Sequence, residues 1–309
     1  MNIIRYKILG CLYGQAIGDA LGLGTEFMCK SKIKNIYPDG YSRYDQIYQD
    51  SHHKRWIKGA WTDDTDMMLC ILKAFNGQEF NIKKVAENFK NWFNGTPMGI
   101  GNNTFKVLCM SDYIEQPELC SKIMWDISRH KSAANGALMR TSVIGIPKIH
   151  TEQQAETISK LTHYDPRRIG SCVIVSLIIH NLIWNNKQLS VDEIKQIGNH
   201  YDQRIGEWID AAYLCSDISS LELDKADSVG YTLRTLSAAL WAYWHASSFE
   251  DGLLSVVNEG GDADTNAAVG CAILGAKFGY SSIPTYYIDN LQSKDMYKHT
   301  IEAFVSQIL

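Results

Sequence analysis

Two short acidic segments, about two hundred residues apart, carry side chains that could bind a divalent cation. One is Gly59-Ala-Trp-Thr-Asp-Asp-Thr-Asp66 and the other is Gly260-Gly-Asp-Ala-Asp-Thr-Asn266. Apolar residues at helical spacing follow each segment, so each is predicted to begin a helix. Asp and Thr are ordinary helix-capping residues, and one segment alone would indicate no more than that. If both segments meet in the folded chain, their carboxylates repel one another strongly unless cations lie between them.

The ligand types favour a hard metal ion. Both segments offer carboxylate and hydroxyl oxygens and contain neither histidine nor cysteine. Such ligands favour Mg²⁺ or Mn²⁺ over Zn²⁺ or copper. The candidate ligands are Thr62, Asp63, Asp64, Asp262, Asp264 and Thr265. This set exceeds the needs of one ion that also binds water and substrate, so we expect two ions, either Mg²⁺ or Mn²⁺.

Five segments of the chain occur in the order found in a known family. They are Gly14-Gln-Ala-Ile-Gly-Asp-Ala-Leu-Gly22 with Glu26, Trp61-Thr-Asp-Asp-Thr-Asp-Met67, Asn135-Gly-Ala-Leu-Met-Arg140, Thr162-His-Tyr-Asp-Pro-Arg167 and Gly261-Asp-Ala-Asp-Thr265. Together they resemble the ADP-ribosylglycohydrolase family over about residues 8 to 280. The resemblance implies a metal-dependent hydrolase that cleaves the glycosidic bond between ADP-ribose and a modified protein side chain. Its substrate partner would be an ADP-ribosylated protein or another ADP-ribose conjugate.

The resemblance also implies catalytic roles for three acids. Glu26 matches a glutamate that lies on a mobile loop beside the metals and serves as acid or base. Asp63 and Asp264 match metal-binding aspartates and are expected to take part in catalysis. Asp19 has two open interpretations, because it could support the metal site from behind the ligands or cap a helix.

ADP-ribose binding is assigned, again by the resemblance, to two glycine-containing segments and two further residues. In Gly99-Ile-Gly-Asn-Asn103 the glycines would let backbone amides approach phosphate or ribose oxygens, and the loop Ser132-Ala-Ala-Asn-Gly136 would wrap the pyrophosphate. The full set is Gly99, Gly101, Asn102, Ser132, Asn135, Gly136, His163 and Tyr231. Gly99 stands where the family has an aspartate, so the catalytic role of that aspartate does not transfer. Arg140 is expected to be structural and Asp165 to cap a helix.

Composition bounds the class of protein. The chain has 309 residues, 45% of them hydrophobic, with a net charge of −4 and a pI of about 6.1. A large core is possible, and we expect a single domain over residues 1–309 because no linker interrupts the sequence. The charge argues against nucleic-acid or membrane-surface binding. The eight scattered cysteines are interpreted as buried thiols of a cytoplasmic protein, and we expect a monomer without a signal peptide.

The apolar periodicity predicts an all-α fold, a compact bundle of more than four helices. Helices are predicted at 3–23, 65–76, 82–94, 118–127, 138–146, 152–163, 166–184, 191–204, 206–215, 229–246, 249–258, 265–278 and 294–308, with another after residue 103. Residues 25–58 are predicted to form a long irregular loop, a kind of segment that is often functional. The apolar run from Cys172 to Trp184 is interpreted as a buried helix too short to span a bilayer.

Several functions remain open at this stage. Arginine is the preferred linkage, while serine-linked and O-acyl conjugates of ADP-ribose are alternatives. Clustered aspartates also suit a two-metal phosphohydrolase, but that function would leave the Asn135-Gly136 loop without a purpose. A catalytically silent ADP-ribose binder is the third possibility, and the intact set of acids argues against it.

Overall fold

Two antiparallel helices in direct backbone contact form the centre of the fold. The computed structural model describes residues 3–226 and 229–309. Helix α1 (Ile3–Gly22) packs most extensively against α13 (Ala263–Phe278), whose residues are buried almost throughout. At Gly18 an added Cβ would lie 2.2 Å from the carbonyl oxygen of Ala267, and Gly10, Gly14 and Gly22 meet α13 in the same way. Only glycine permits this approach, which brings the C-terminal end of α1 beside the N-terminal end of α13.

The remaining elements surround this pair, and the hydrophobic side chains form one large core cluster. The other helices of the described residues are α2 (Lys30–Ile36), α3 (Asp63–Leu72), α4 (Ile82–Asn94), α5 (Asn102–Leu108), α6 (Pro117–Ile127), α7 (Thr151–Lys160), α8 (Pro166–His180), α9 (Val191–Tyr201), α10 (Arg204–Leu214), α11 (Thr232–His245), α12 (Phe249–Val257), α14 (Thr285–Asp289) and α15 (Lys294–Ile308). Two strands, β1 (Phe75–Asn76) and β2 (Glu79–Phe80), pair as an antiparallel hairpin. The predicted all-α class is confirmed.

Three local predictions were wrong. Residues 138–146 form two 3₁₀ turns, Leu138–Arg140 and Ser142–Gly145, in place of the predicted helix. The Thr141 hydroxyl donates to the Ala137 carbonyl and the Ser142 hydroxyl donates to Gln15 Oε1, and side-chain bonds of this kind compete with regular helical bonding. The hairpin after α3 was missed, although Asn76-Gly77 is a turn signal and Gly77 has a φ of +64°. The 25–58 loop contains α2 and short 3₁₀ turns at Tyr44–Gln46 and His53–Arg55.

Two further expectations need correction. Cys29 and Cys109 are exposed because they lie in surface segments, whereas Cys11, Cys120, Cys172 and Cys271 are buried as expected. The apolar run from Cys172 to Trp184 belongs to a longer helical stretch, since α8 continues through a π-helical turn, Asn181–Asn185. Pro166–Asn185 is therefore the one described helical stretch long and apolar enough to cross a membrane, and 72% of its apolar window is buried inside the protein. Burial of this kind is typical of a core helix.

Candidate active site

Asp19 of α1 fixes the start of α3. Its Oδ1 accepts hydrogen bonds from the backbone N and Oγ1 of Thr62, both at 2.9 Å. Its Oδ2 accepts from the N and Oγ1 of Thr65, at 3.0 and 2.6 Å. Asp19 is fully buried, and burial raises its pKa to about 7 although the threonine hydrogen bonds oppose that shift. Asp19 therefore caps α3 and holds the candidate ligand Thr62 in place, so both interpretations of Asp19 fit the same contacts.

The two acidic segments converge at one place. Carboxylate oxygens of Glu26, Asp262 and Asp264 lie within 4.8 Å of one another. Asp63 and Asp64 line the same cavity as this group. After burial, the charges of Glu26 and Asp262 help to raise the pKa of Asp63, and those of Glu26 and Asp64 help to raise the pKa of Asp264. The packing of α1 on α13 produces this meeting, because α1 orients α3 through Asp19 while α13 carries Asp264.

The electrostatics of the cluster are those of a cation site. Burial, followed by the neighbouring acids, raises the pKa of Asp63 to about 7, and burial raises that of Asp262 to about 6. Burial also raises the pKa of Asp64 and Asp264 well above the usual range. Asp64 Oδ1 and Asp264 Oδ1 are buried without a hydrogen-bond partner among the described residues. Orphaned carboxylate oxygens in a cluster without nitrogen or sulfur ligands fit a hard divalent cation.

Glu26 is held in place by two features. The loop that follows it pairs with the second acidic segment, as Phe27 N donates to the Gly261 carbonyl at 2.6 Å and Gly261 N donates to the Met28 carbonyl at 2.9 Å. The Glu26 side chain, 10% exposed, lies with Oε2 2.6 Å from His52 Nε2. These bonds fasten the loop to the acidic segment. The mobility of Glu26 that the family resemblance implies remains a prediction.

Arg55 sets the tautomer of His52. Its Nη2 lies 2.6 Å from His52 Nδ1, and a guanidinium can only donate. Nδ1 of the neutral ring therefore accepts, and the ring proton on Nε2 points to Glu26; this assignment follows from the hydrogen-bond network. Arg55 Nη1 also donates to the Met98 carbonyl at 2.9 Å, which joins this chain of contacts to the segment containing Gly99. Sequence analysis missed His52 and Arg55, and the only signal for them was the length of their loop.

A loop opposite α3 contributes Asn135 and Gly136. Asn135 Nδ2 donates to Asp262 Oδ2 at 2.5 Å and to Thr235 Oγ1 at 2.8 Å, so this amide orients a carboxylate of the cluster. Gly136 lies against His163, because an added Cβ would be 3.0 Å from His163 Cε1. The loop is fixed by backbone pairing with the start of α11, where Asn135 N donates to the Gly230 carbonyl.

His163 is a buried, neutral imidazole. Burial lowers its pKa well below the usual range, and the guanidinium groups of Arg168 and Arg140 add to this effect. Its Nδ1 lies 2.6 Å from Thr162 Oγ1, which accepts a hydrogen bond from Arg140 Nη2 at 2.6 Å. Thr162 therefore has its own proton left for His163 Nδ1, which places the ring proton on Nε2. That Nε2 has no partner among the described residues.

These groups line a cavity of about 790 Å³, a size that suits a nucleotide-like ligand. Every residue predicted from the sequence for the site, except Tyr231, lies in its wall: Glu26, Thr62, Asp63, Asp64, Gly99, Gly101, Asn102, Ser132, Asn135, Gly136, His163, Asp262, Asp264 and Thr265. The ring of Tyr231 instead packs edge-on against Trp208, with Arg167 above it at 5.8 Å. The neighbouring Gly230 takes the cavity-facing position.

The mouth of the cavity combines apolar and basic side chains that sequence analysis did not single out. Phe27 is 57% exposed, Met98 53% and Ile127 66%, and all three line the cavity with Arg55 and Lys106. No sequence motif marks these residues as part of one site, because they come from separate segments of the chain. The cavity is therefore acidic at its base and partly basic near its opening.

Fold and site together define an all-helical enzyme with a carboxylate cluster that could bind a metal ion beside a nucleotide-sized cavity. The family model for ADP-ribosylglycohydrolase matches residues 1–309. The chain belongs to the ADP-ribosylglycohydrolase family, and it is therefore a hydrolase.

Individual relatives are distant but cover most of the chain. It is 27% identical to ADP-ribosylarginine hydrolase Tri1 of Serratia proteamaculans, over 96% of this chain and 78% of the relative. It is 24% identical to ADP-ribosyl-[dinitrogen reductase] glycohydrolase of Rhodospirillum rubrum, over 94% of this chain and 92% of the relative. A solved structure, described as an ADP-ribosylglycohydrolase-related protein complex, matches the fold with a TM-score of 0.77 at 21% identity, covering all of both chains.

Proposed function

We propose that this protein hydrolyses the glycosidic bond between ADP-ribose and a modified protein side chain, with arginine as the preferred linkage. The observation that carries the proposal is the meeting of Glu26, Asp262 and Asp264 within 4.8 Å at the base of a nucleotide-sized cavity. Relatives named ADP-ribosylarginine hydrolase support the arginine linkage. A guanidinium leaving group also suits a cavity whose base is acidic. Serine-linked and O-acyl conjugates are the alternatives.

The cofactor in this proposal is a pair of Mg²⁺ or Mn²⁺ ions. Thr62, Asp63, Asp64, Asp262, Asp264 and Thr265 would hold them, and the orphaned oxygens of Asp64 and Asp264 support such a role. Bound divalent ions supply Lewis acidity that polarises hydroxyls and lowers the pKa of water. Asn135 keeps the carboxylate of Asp262 in position, and Asp19 fixes Thr62 at the start of α3.

Glu26 is proposed to accept the proton of the attacking water. Hydrolysis forms a bond from a water oxygen to the anomeric carbon of the distal ribose and breaks the bond from that carbon to the side-chain nitrogen or oxygen. The water loses a proton, which the Glu26 carboxylate accepts, and the leaving side chain gains one. His52 Nε2–H donates to the Glu26 carboxylate at 2.6 Å and so holds it in place.

The test is a release assay with ADP-ribose attached through defined linkages. Wild type with MgCl₂ or MnCl₂ is expected to release ADP-ribose from arginine-linked protein, more slowly from serine-linked protein, and not at all in excess chelator. Asp264→Ala is the matched inactive variant. Release of phosphate or AMP in place of ADP-ribose would refute the proposal, and faster release from serine would refute only the arginine preference. The single-domain organisation, monomeric state and cytoplasmic location inferred from the sequence remain predictions.

A further inference from the structure

Arg168, in the first turn of α8, is a buried cation without a direct salt bridge to any carboxylate of residues 3–226 and 229–309. Its side chain is 1% exposed, and Nη2 donates to Ser132 Oγ at 2.7 Å. Its Nε is buried and has no hydrogen-bond partner among the described residues. The structure records no ion pair between Arg168 and a described carboxylate.

The adjacent carboxylate is already saturated. Asp165 accepts three hydrogen bonds from Arg167, through its backbone N, Nε and Nη2, at 2.8 to 2.9 Å. It accepts a fourth from Trp125 Nε1 at 3.1 Å. Arg167 and Arg168 therefore differ, because Arg167 forms a direct salt bridge with Asp165, whereas Arg168 feels the charge of Asp165 only at longer range. A buried charge without a direct ion pair is costly, which suggests a role for Arg168 beyond the fold.

Ser132 connects Arg168 to the cavity. The serine lies in the cavity wall, and its hydroxyl oxygen accepts from Arg168. Because a hydroxyl has one proton and two lone pairs, the Ser132 proton stays free to be donated to a ligand. On the same cavity, His163 presents a second unpartnered N–H that is backed by a buried guanidinium, that of Arg140, through Thr162.

The polarity of the cavity indicates which part of a ligand this donor would meet. Its base holds the carboxylates of Glu26, Asp262 and Asp264, which repel anions unless metal ions neutralise them. A ligand with an anionic diphosphate is stabilised where a hydrogen-bond donor is backed by a buried cation. The Ser132 hydroxyl, in the cavity wall and bonded to Arg168, is such a donor.

We propose that Arg168 is a positioning residue for the diphosphate of the substrate. It orients the Ser132 hydroxyl as a hydrogen-bond donor to a diphosphate oxygen and supplies the positive charge behind that bond. The inference rests on the proposed function, because it takes an ADP-ribosyl group as the ligand. It adds a residue whose side chain contacts the binding loop and whose effect reaches the ligand through Ser132.

The experiment measures ADP-ribose affinity by calorimetry in MgCl₂ for wild type, Ser132→Ala, Arg168→Gln and the double variant. Each single substitution is expected to weaken binding about 10- to 100-fold, the range for a hydrogen bond to a charged group. The double variant is expected to bind within about twofold of Arg168→Gln, because both changes remove one coupled interaction. Ser132→Thr, which keeps the hydroxyl, should retain affinity within about threefold, a rescue that a purely structural role of Ser132 would not require.

Two controls separate this role from general damage. Arg204→Gln removes an exposed guanidinium that pairs with Asp202 and does not line the cavity, and it is expected to leave ADP-ribose affinity unchanged. The thermal shift with Mn²⁺ alone should be the same in Arg168→Gln as in wild type, since the substitution lies outside the carboxylate cluster. If Arg168→Gln does not fold, Arg168→Lys replaces it and should weaken binding to a smaller extent.

Three results would overturn the inference: an Arg168 variant that binds ADP-ribose as tightly as wild type, Ser132→Ala with unchanged affinity, or effects of the two substitutions that simply multiply. Failure of wild type to bind ADP-ribose would instead refute the proposed function. The two failures are therefore distinguishable within one set of measurements.

Discussion

Replacing Asp63 with asparagine is expected to stabilise the metal-free protein at neutral and alkaline pH. Burial and the neighbouring Glu26 raise the pKa of Asp63 from 3.8 to about 7. A carboxylate whose pKa rises on folding favours the folded state in its protonated form. Its contribution is complete below about pH 4 and is lost as the pH rises through about 7. Wild type without metal should therefore weaken over this interval, and Asp63→Asn should weaken less.

The size of the effect follows from the shift. About three pKa units correspond to about 4 kcal/mol, and asparagine loses about 0.3 to 1 kcal/mol of favourable interaction with the N-terminal end of the α3 dipole. The net gain for Asp63→Asn is thus about 3 kcal/mol at about pH 8 and close to zero at about pH 4. In a chain of this size it corresponds to a rise in Tm of roughly 6 to 12 °C.

The assay is thermal unfolding in chelator across the range of about pH 4 to 8.5, repeated with MgCl₂ or MnCl₂. Metal should reverse the order, because Asp63→Asn removes a ligand and loses stabilisation by bound ions. Asp66→Asn is the matched control on the same helix. Asp66 accepts Nε1–H from Trp61 at 2.8 Å and Trp92 at 3.1 Å, so this substitution should destabilise at every pH. A Tm difference between Asp63→Asn and wild type that does not grow with pH in chelator would refute the electrostatic account of the cluster.

Three other substitutions test separate parts of the structure. Glu26→Gln should lower kcat about 10²- to 10⁴-fold, as expected for loss of an acid or base, while ADP-ribose affinity by calorimetry changes little; an equal loss of both would assign Glu26 to binding. Gly99→Ala places a Cβ 2.8 Å from Asp63 Oδ1, so Mn²⁺ titration should show weaker metal binding although the Tm in chelator is unchanged; unaltered Mn²⁺ affinity would contradict this. Gly18→Ala places a Cβ 2.2 Å from the Ala267 carbonyl oxygen and should cost at least about 3 kcal/mol in denaturant unfolding, and a smaller cost would mean that α1 and α13 can separate.

The sequence was sufficient for features that depend on local pattern. Apolar periodicity predicted the helices, and the recurrence of acids and threonines at two helix starts predicted the segments that meet at the cavity. The structure adds how they meet, through Asp19 capping α3 and the glycine-lined contact between α1 and α13. The glycines of α1 were visible in the sequence, but their partners on α13 were not.

Other features depend on contacts between distant segments. The resemblance assigned Tyr231 to ligand binding, but it did not indicate that the Tyr231 ring packs on Trp208. His52 contacts Glu26, and Arg55 contacts His52, because their loop lies along the cavity wall, a path that no local spacing encodes. The side-chain nitrogen of Asn135, a residue predicted to contact the ligand, donates to Asp262 and Thr235, two partners that the sequence did not indicate. Side-chain partners chosen across the fold are beyond what one-dimensional periodicity can predict.

The close contact of α1 with α13 limits where this enzyme can adapt. No side chain separates the two helices at Gly10, Gly14, Gly18 and Gly22, so neither can shift without the other. The carboxylates at the base of the cavity are attached to this rigid pair and cannot be rearranged to suit a different leaving group. Differences in linkage preference among relatives would then arise in segments around the opening that hold none of these carboxylates, such as 27–56. Exchange of that segment between relatives should transfer substrate choice while leaving metal affinity as it was.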